Sequence, residues 1–267
     1  MKANFFKIGV DLIVFSLGAV SLLAPLLFQG INAPIFSQSS FPIVVSGIII
    51  LCIAIVFVEA QSSLLDSKMI AFLGILIAIN SSLRFLENAI PGPAGFSPVF
   101  ILIILTGYFF GSRIGFLMGA LSMLISGLFT GGVGPWLPGQ MITAGWVGQS
   151  SAWLRKPIQK MRLFGSAVER IFLCVHGAFW GILFGVIMNL WFWPFIGASS
   201  GQTWLKNASV VVNLQRYGAY YFATSFLWDI TRAIGNVLLI ALLTQPVLKI
   251  FDRFNHRFSF TIAETER

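Results

Sequence analysis

Apolar runs of about 17 to 25 residues, the length with which an α-helix crosses ~30 Å of hydrocarbon, recur along this chain at 8–29, 42–60, 68–88, 97–112, 114–133, 136–153, 168–193 and 218–246. The fourth to sixth runs are short or broken by glycine, so the pattern predicts an all-α polytopic membrane protein of about eight transmembrane helices. Composition agrees, because 57% of residues are hydrophobic, 10% are charged and Phe occurs 27 times. A soluble domain carries about a quarter charged residues and covers roughly 40% of its exterior with polar groups. So few charges cannot do that, and lipid must be the solvent for most of the surface. Lys2 and Lys7 precede the first run as in a signal peptide. That run is long, contains Asp11 and lacks a small-x-small cleavage site, so it reads as a retained helix.

The net charge of +8 bears on orientation rather than on nucleic acid, since cytoplasmic loops of membrane proteins retain Lys and Arg. With the N-terminus inside, the cytoplasmic segments hold Lys2, Lys7, Lys68, Arg113, Arg155, Lys156, Lys160, Arg162, Arg170, Lys249, Arg253, Arg257 and Arg267, thirteen of the 17 basic residues. Arg84, Lys206 and Arg216 fall outside, and Arg232 lies within a span. Both termini are therefore expected in the cytoplasm, with the chain in the cell membrane.

The longest connections, about 154–167 and 194–217, are too short to fold alone. The chain has no Walker pattern, so an ATPase would have to sit on another polypeptide. It has no H-E-x-x-H or G-x-S-x-G sequence, and its two histidines, His176 and His256, are far apart. No catalytic residue is expected, nor a metal site or cofactor. His176 reads as a satisfied core residue, and Cys52 and Cys174, both inside apolar runs, as small hydrophobes.

Inside lipid, helices associate closely through small residues that let backbones meet. Gly111, Gly115 and Gly119 recur every four residues, as do Gly177, Gly181 and Gly185, followed by Asn189. These two sets are expected to pack the bundle internally. Gly74, Ala78 and Ser82 form a third stripe, open to either internal packing or docking of another membrane subunit.

Ionisable residues within spans are Asp11, Glu59, Arg84, Glu87, Asp229 and Arg232. A charge at the bilayer centre costs roughly 2.5 to 3.5 kcal/mol. Asp229 is expected near mid-depth of a continuous 218–246 span, either paired with Arg232 at i+3 or lining a ligand cavity. Arg84 and Glu87 are placed near the external mouth, where they can snorkel. The uncharged loop from Thr130 to Met141 contains Pro135, Trp136 and Gln140, while Asn189, Trp191 and Trp193 close the seventh run. Tyr220 and Tyr221 lie on the same membrane face. These tryptophans are either lipid-headgroup anchors or, with the amides, the aromatic wall of a pocket for a planar, uncharged organic ligand.

At these residues the chain resembles the substrate-binding S components of energy-coupling factor (ECF) vitamin transporters. The resemblance is carried by Ser97-Pro-Val-Phe100, Gly107-Tyr-Phe-Phe-Gly111, Gly131-Gly-Val-Gly-Pro-Trp-Leu-Pro138, Ala144-Gly-Trp-Val-Gly148, Met188-Asn-Leu-Trp-Phe-Trp-Pro-Phe195, Trp228-Asp229 and Arg232-Ala-Ile-Gly-Asn236, and covers about 68 to 250. It implies a six-helix substrate-binding core over 67–250, two additional N-terminal helices over 1–66 and a basic cytoplasmic tail over 251–267. It implies capture of a vitamin-like small molecule at the outer face, cobalamin or a related corrinoid by family branch, and partnership with a coupling subunit and cytoplasmic ATPases. Gly74, Ala78 and Ser82 then lie on the helix that carries the family's docking pattern, matching its small-residue logic but not its letters. The implied substrate site comprises Arg84, Pro135, Trp136, Gln140, Asn189, Trp191, Trp193, Tyr221, Asp229 and Arg232. A stand-alone secondary transporter would show internal symmetry, which is not seen; a membrane sensor or scaffold would need a partner on the basic 154–170 loop.

Overall fold

A computed structural model describes residues 15–16, 18–20, 22–23, 43, 46–47, 50–51, 54, 67–89, 95–134, 136–195, 201–205 and 208–258. The two expected N-terminal spans fall largely outside the described residues. Asp11, Cys52, Glu59, Pro135, Lys206 and the tail beyond 258 lie outside them altogether.

The ordered elements are helices: α1 (Ser67–Ala89), α2 (Val99–Phe110), α3 (Ser112–Thr130), α4 (Leu137–Ser151), α5 (Arg155–Lys160), α6 (Ala167–Phe192), α7 (Val210–Thr224) and α8 (Phe226–Phe258). Among the described residues, α1, α3, α6 and α8 are long and apolar enough to cross a membrane. The chain is an all-α polytopic membrane protein. Helices α2 and α4, of 12 and 15 residues, fall short of that length. They are instead surrounded by protein: α2 is buried at Val99–Ile101 and Ile103–Tyr108 and packs against α3, α4, α6 and α8. A helix apolar all round belongs in such a position.

Glycine sets how closely the central helices approach. A β-carbon at Gly107 of α2 would overlap the Gly148 carbonyl of α4, and one at Gly148 would overlap the Gly115 carbonyl of α3. Three backbones thus meet at one point, and α3 with α4 is the most extensively packed pair. Gly119 continues this seam against Ala144, while Gly177, Gly181 and Gly185 of α6 face Ile240, Ala233 and Asp229 of α8. Both sets pack the bundle, as expected, with one exception. Gly111 makes no close approach; it is the one-residue turn between α2 and α3, at φ 100°, a backbone region that glycine alone enters readily. Gly74, Ala78 and Ser82 stay exposed, on the side of α1 opposite its buried residues Leu73, Leu76, Ile77 and Asn80.

The structure corrects the last expected span. Instead of one helix over 218–246, α7 begins at Val210, inside the segment expected to be loop, and ends at Thr224; α8 starts at Phe226. Ser209 caps α7 by accepting from the Val212 amide. At the break the Ser225 side chain donates to Asn189 Oδ1 at 3.0 Å, while its N–H donates to the Tyr221 carbonyl and its carbonyl accepts from Asp229. Asp229 consequently lies in the first turn of α8, not at mid-depth, and there the helix dipole favours a carboxylate.

The two ends of the bundle differ. At one, Phe72, Phe110, Phe251 and Phe254 stack beside α5 and the basic residues of the 155–170 stretch; this is the basic end. At the other, the Trp136 end, the 131–136 loop joins α3 to α4 and α1, α6 and α8 bring their polar residues.

Candidate functional site

Two polar clusters are built at the Trp136 end. In the first, Arg84 of α1 turns inward and does not snorkel outward as expected: Nη1 donates to Ser126 Oγ of α3 at 3.2 Å and Nη2 donates to Gln140 Oε1 of α4 at 3.1 Å. One guanidinium thereby ties three helices, which its planar fork of donors suits it to do. One turn along α1, Glu87 accepts from the Ser97 hydroxyl at 2.8 Å.

The second cluster spans the α7–α8 break. Tyr221 donates to Asp229 Oδ2 at 2.8 Å, and Arg232 Nη1 meets Asp229 Oδ1 at 2.5 Å. The i+3 ion pair therefore forms. Arg232 also donates to the Gly181 carbonyl at 3.2 Å and lies over the Phe184 ring. The Asp229 carboxylate rests against Gly185, where any β-carbon would displace it. Asn189, one turn further along α6, donates to the Gly185 carbonyl at 2.8 Å and accepts from Ser225 at 3.0 Å.

The tryptophans divide. Trp136 is 38% exposed, folds back to donate to the Gly132 carbonyl at 3.1 Å and meets Phe192 edge-on. Trp191 is buried in the main core. Trp193 is buried with Tyr217, Tyr220 and Tyr221 in a separate aromatic cluster and donates to the Gln202 carbonyl at 2.7 Å. The structure thus brings Arg84 to Gln140, and Asn189 to the neighbourhood of Tyr221, Asp229 and Arg232. It leaves Trp136 on the loop and sends Trp191 and Trp193 into different packing groups.

Ser126 and Ser225 join these clusters without having stood out in the sequence, while Ser97 stood out only within the family resemblance and Gly185 only as a packing glycine. Serine and glycine are common in membrane helices, and nothing local separates a serine that receives an arginine from one that bonds its own helix, as Thr130 does to the Ser126 carbonyl. Glu87 was noted in the sequence only as an ionisable residue near the external mouth, not as a member of the site. His176, as expected, is satisfied, lying 2.9 Å from Ser151 Oγ. The groups gathered at this end are guanidinium, carboxylate, phenol and amide, arranged to hold and orient.

The family model for "ECF transporter, substrate-specific component" matches residues 68–244, which run from α1 into α8 and contain both clusters. No curated protein and no solved structure matches the chain. The matched family is one of transporter subunits rather than of enzymes, and its members act with a small-molecule substrate and an ECF module of coupling and ATPase subunits. This chain belongs to the ECF transporter substrate-specific components and is a substrate-specific membrane subunit.

Proposed function

We propose that the chain captures a vitamin or similar micronutrient at the Trp136 end, facing the cell exterior, and delivers it with a coupling subunit and cytoplasmic ATPases. The observation that carries this reading is the convergence of α1, α3, α4, α6, α7 and α8 on two hydrogen-bonded clusters at one end of the bundle. Ionisable groups within membrane-spanning helices are costly and by default raise the hypothesis of a ligand site. The site residues are Arg84, Pro135, Trp136, Gln140, Asn189, Trp191, Trp193, Tyr221, Asp229 and Arg232. Asp229 neutralises Arg232, and Ser126 and Gln140 hold Arg84, so this end of the bundle suits recognition by hydrogen bonds and aromatic contact more than by net charge. That favours an uncharged heterocyclic vitamin over a sugar phosphate, with cobalamin or a related corrinoid the candidate suggested by the sequence resemblance.

The orientation proposed, with both termini in the cytoplasm of a cell-membrane protein, is supported by charge, since Lys and Arg concentrate at the basic end. The domain reading keeps 67–250 as the binding core, 1–66 as two added helices and 251–267 as a tail whose first part continues α8. The exposed stripe Gly74, Ala78 and Ser82 is the proposed docking face for the coupling subunit, because small residues without cover let a second helix approach.

The test is binding by the purified chain, with cobalamin, cobinamide and other water-soluble vitamins titrated calorimetrically in detergent, and uptake by vesicles with and without the coupling subunit and ATPases. Capture of one ligand by the chain alone, with ATP-driven uptake only in the full complex, supports the reading. Uptake by the chain alone down an ion gradient overturns it.

A further inference from the structure

A third group of charges lies at the basic end, away from every candidate substrate-site residue. A cavity of about 380 Å³ opens there between the end of α2, the start of α5, the α5–α6 connection and α8. That volume falls in the range of small-ligand sites. Phe109, Phe164 and Leu248 form its apolar side. Two cations, Arg155 and Lys249, and two carboxylates, Glu169 and Asp252, also line it.

These four charges do not satisfy one another. Among the described residues, no ion pair joins Arg155 or Lys249 to Glu169 or Asp252. Arg155 donates from Nη1 to the Phe109 carbonyl and lies over that ring. Glu169 is buried and held by neutral donors, the Tyr108 phenol at 2.5 Å and the Gly165 amide at 2.6 Å. Its negative charge therefore has no cation beside it, where a buried charge calls for one. Lys249 and Asp252 are exposed, so an entering molecule reaches them directly. They are three residues apart on α8, on one face with Gln245 of the same wall.

The surroundings are apolar. Phe164 at the wall is exposed, as are Val168 and Ile250, the chain neighbours of Glu169 and Lys249. A charged hollow with an apolar rim, at the ends of membrane-spanning helices, matches an amphiphile whose headgroup enters while its acyl chains cover the rim.

We propose that this cavity holds the headgroup of phosphatidylethanolamine, its phosphate against Lys249 and Arg155 and its primary ammonium against Asp252, in the field of Glu169. Phosphatidylglycerol has no cation to offer the two carboxylates, and the quaternary ammonium of phosphatidylcholine has no N–H to donate. Lys and Arg are the usual phosphate partners. The site is independent of nutrient capture at the Trp136 end, because lipid binding is read directly whatever the chain transports.

The experiment delipidates the full chain in detergent and titrates it with palmitoyl-oleoyl phosphatidylethanolamine, phosphatidylcholine, phosphatidylglycerol or free phosphoethanolamine, read by native mass spectrometry. One phosphatidylethanolamine should bind per chain, about fivefold more tightly than either other lipid. Free phosphoethanolamine, without acyl contact, should bind at least about tenfold more weakly. Lys249→Gln should lower the affinity about fivefold, and Asp252→Asn should erase the preference for ethanolamine. Arg253→Gln, outside the cavity, should change neither. All three positions are exposed, so the variants should keep the fold by size exclusion; where one of the first two does not, the other decides. Absence of bound phosphatidylethanolamine, equal binding of the three lipids, or unchanged binding in the folded cavity variants overturns the site. Tighter phosphatidylglycerol overturns the zwitterionic ligand, and equal binding of free phosphoethanolamine overturns the lipid.

Discussion

Tyr221, at the end of α7, donates its phenolic hydrogen to Asp229, in the first turn of α8, across the break at Ser225. The bond staples two helices that share no continuous backbone hydrogen-bond ladder. It also leaves Asp229 held from two sides, with Arg232 on the other oxygen.

Removing the cation tests how far the protein depends on that pair. Arg232→Leu leaves the buried Asp229 carboxylate with only a phenol, and breaking a buried pair this way costs about 3–5 kcal/mol. A large fall in the thermal unfolding midpoint in detergent is expected. Asp229→Asn still accepts from Tyr221 and should fall less; equal losses would mean that the ion pair contributes nothing beyond its hydrogen bonds.

The glycine seam makes a sharper contrast. Gly148→Ala forces a methyl into the Gly115 backbone and should destabilise by about 1–3 kcal/mol, whereas Gly74→Ala, where the added carbon meets open space, should be neutral or slightly stabilising. Parallel melts of the two variants check this.

Arg84→Met removes the tie among α1, α3 and α4 while keeping an unbranched apolar side chain there. Ligand affinity at the Trp136 end should drop about tenfold, as for loss of a charged hydrogen-bonding partner, and co-purification with the coupling subunit should persist. Binding isotherms and pull-downs on the same preparation separate the two.

Asn189→Leu frees Ser225 and takes an amide from the proposed recess. Weaker ligand binding with intact assembly is expected, and unchanged affinity would remove Asn189 from the site. Ser225→Ala serves as the control for the helix break alone, at about 1 kcal/mol.

Ala78→Leu places a bulky side chain in the exposed stripe of α1. Docking of the coupling subunit should weaken while ligand capture stays intact. Loss of both would mean that the stripe supports the bundle itself.

Much of this architecture was legible in one dimension. Transfer of each side chain from water to lipid is a local property, so hydropathy located α1, α3 and α6 to within a few residues, and four-residue spacing identified Gly115, Gly119, Gly177, Gly181 and Gly185 as contact surfaces. The Asp229–Arg232 pair was readable for the same reason, being separated by less than one helical turn. The sequence alone thus determined the solvent, the helical class and the faces that could meet.

Partners distant along the chain were decided only by the tertiary structure. Apolar scoring cannot see the break at Ser225, because the residues on both sides are equally hydrophobic, nor the bond from Ser225 to Asn189, 36 positions away. Nor could it turn Arg84 inward, since the alternative of snorkelling costs little until Ser126 and Gln140 are brought beside it. Burial of Trp191 and Trp193 in different clusters, and the hollow lined by Arg155 and Lys249, depend on how helices cross. Hydrogen bonds and cavities belong to pairs of surfaces, and the pairing exists only once the chain has folded.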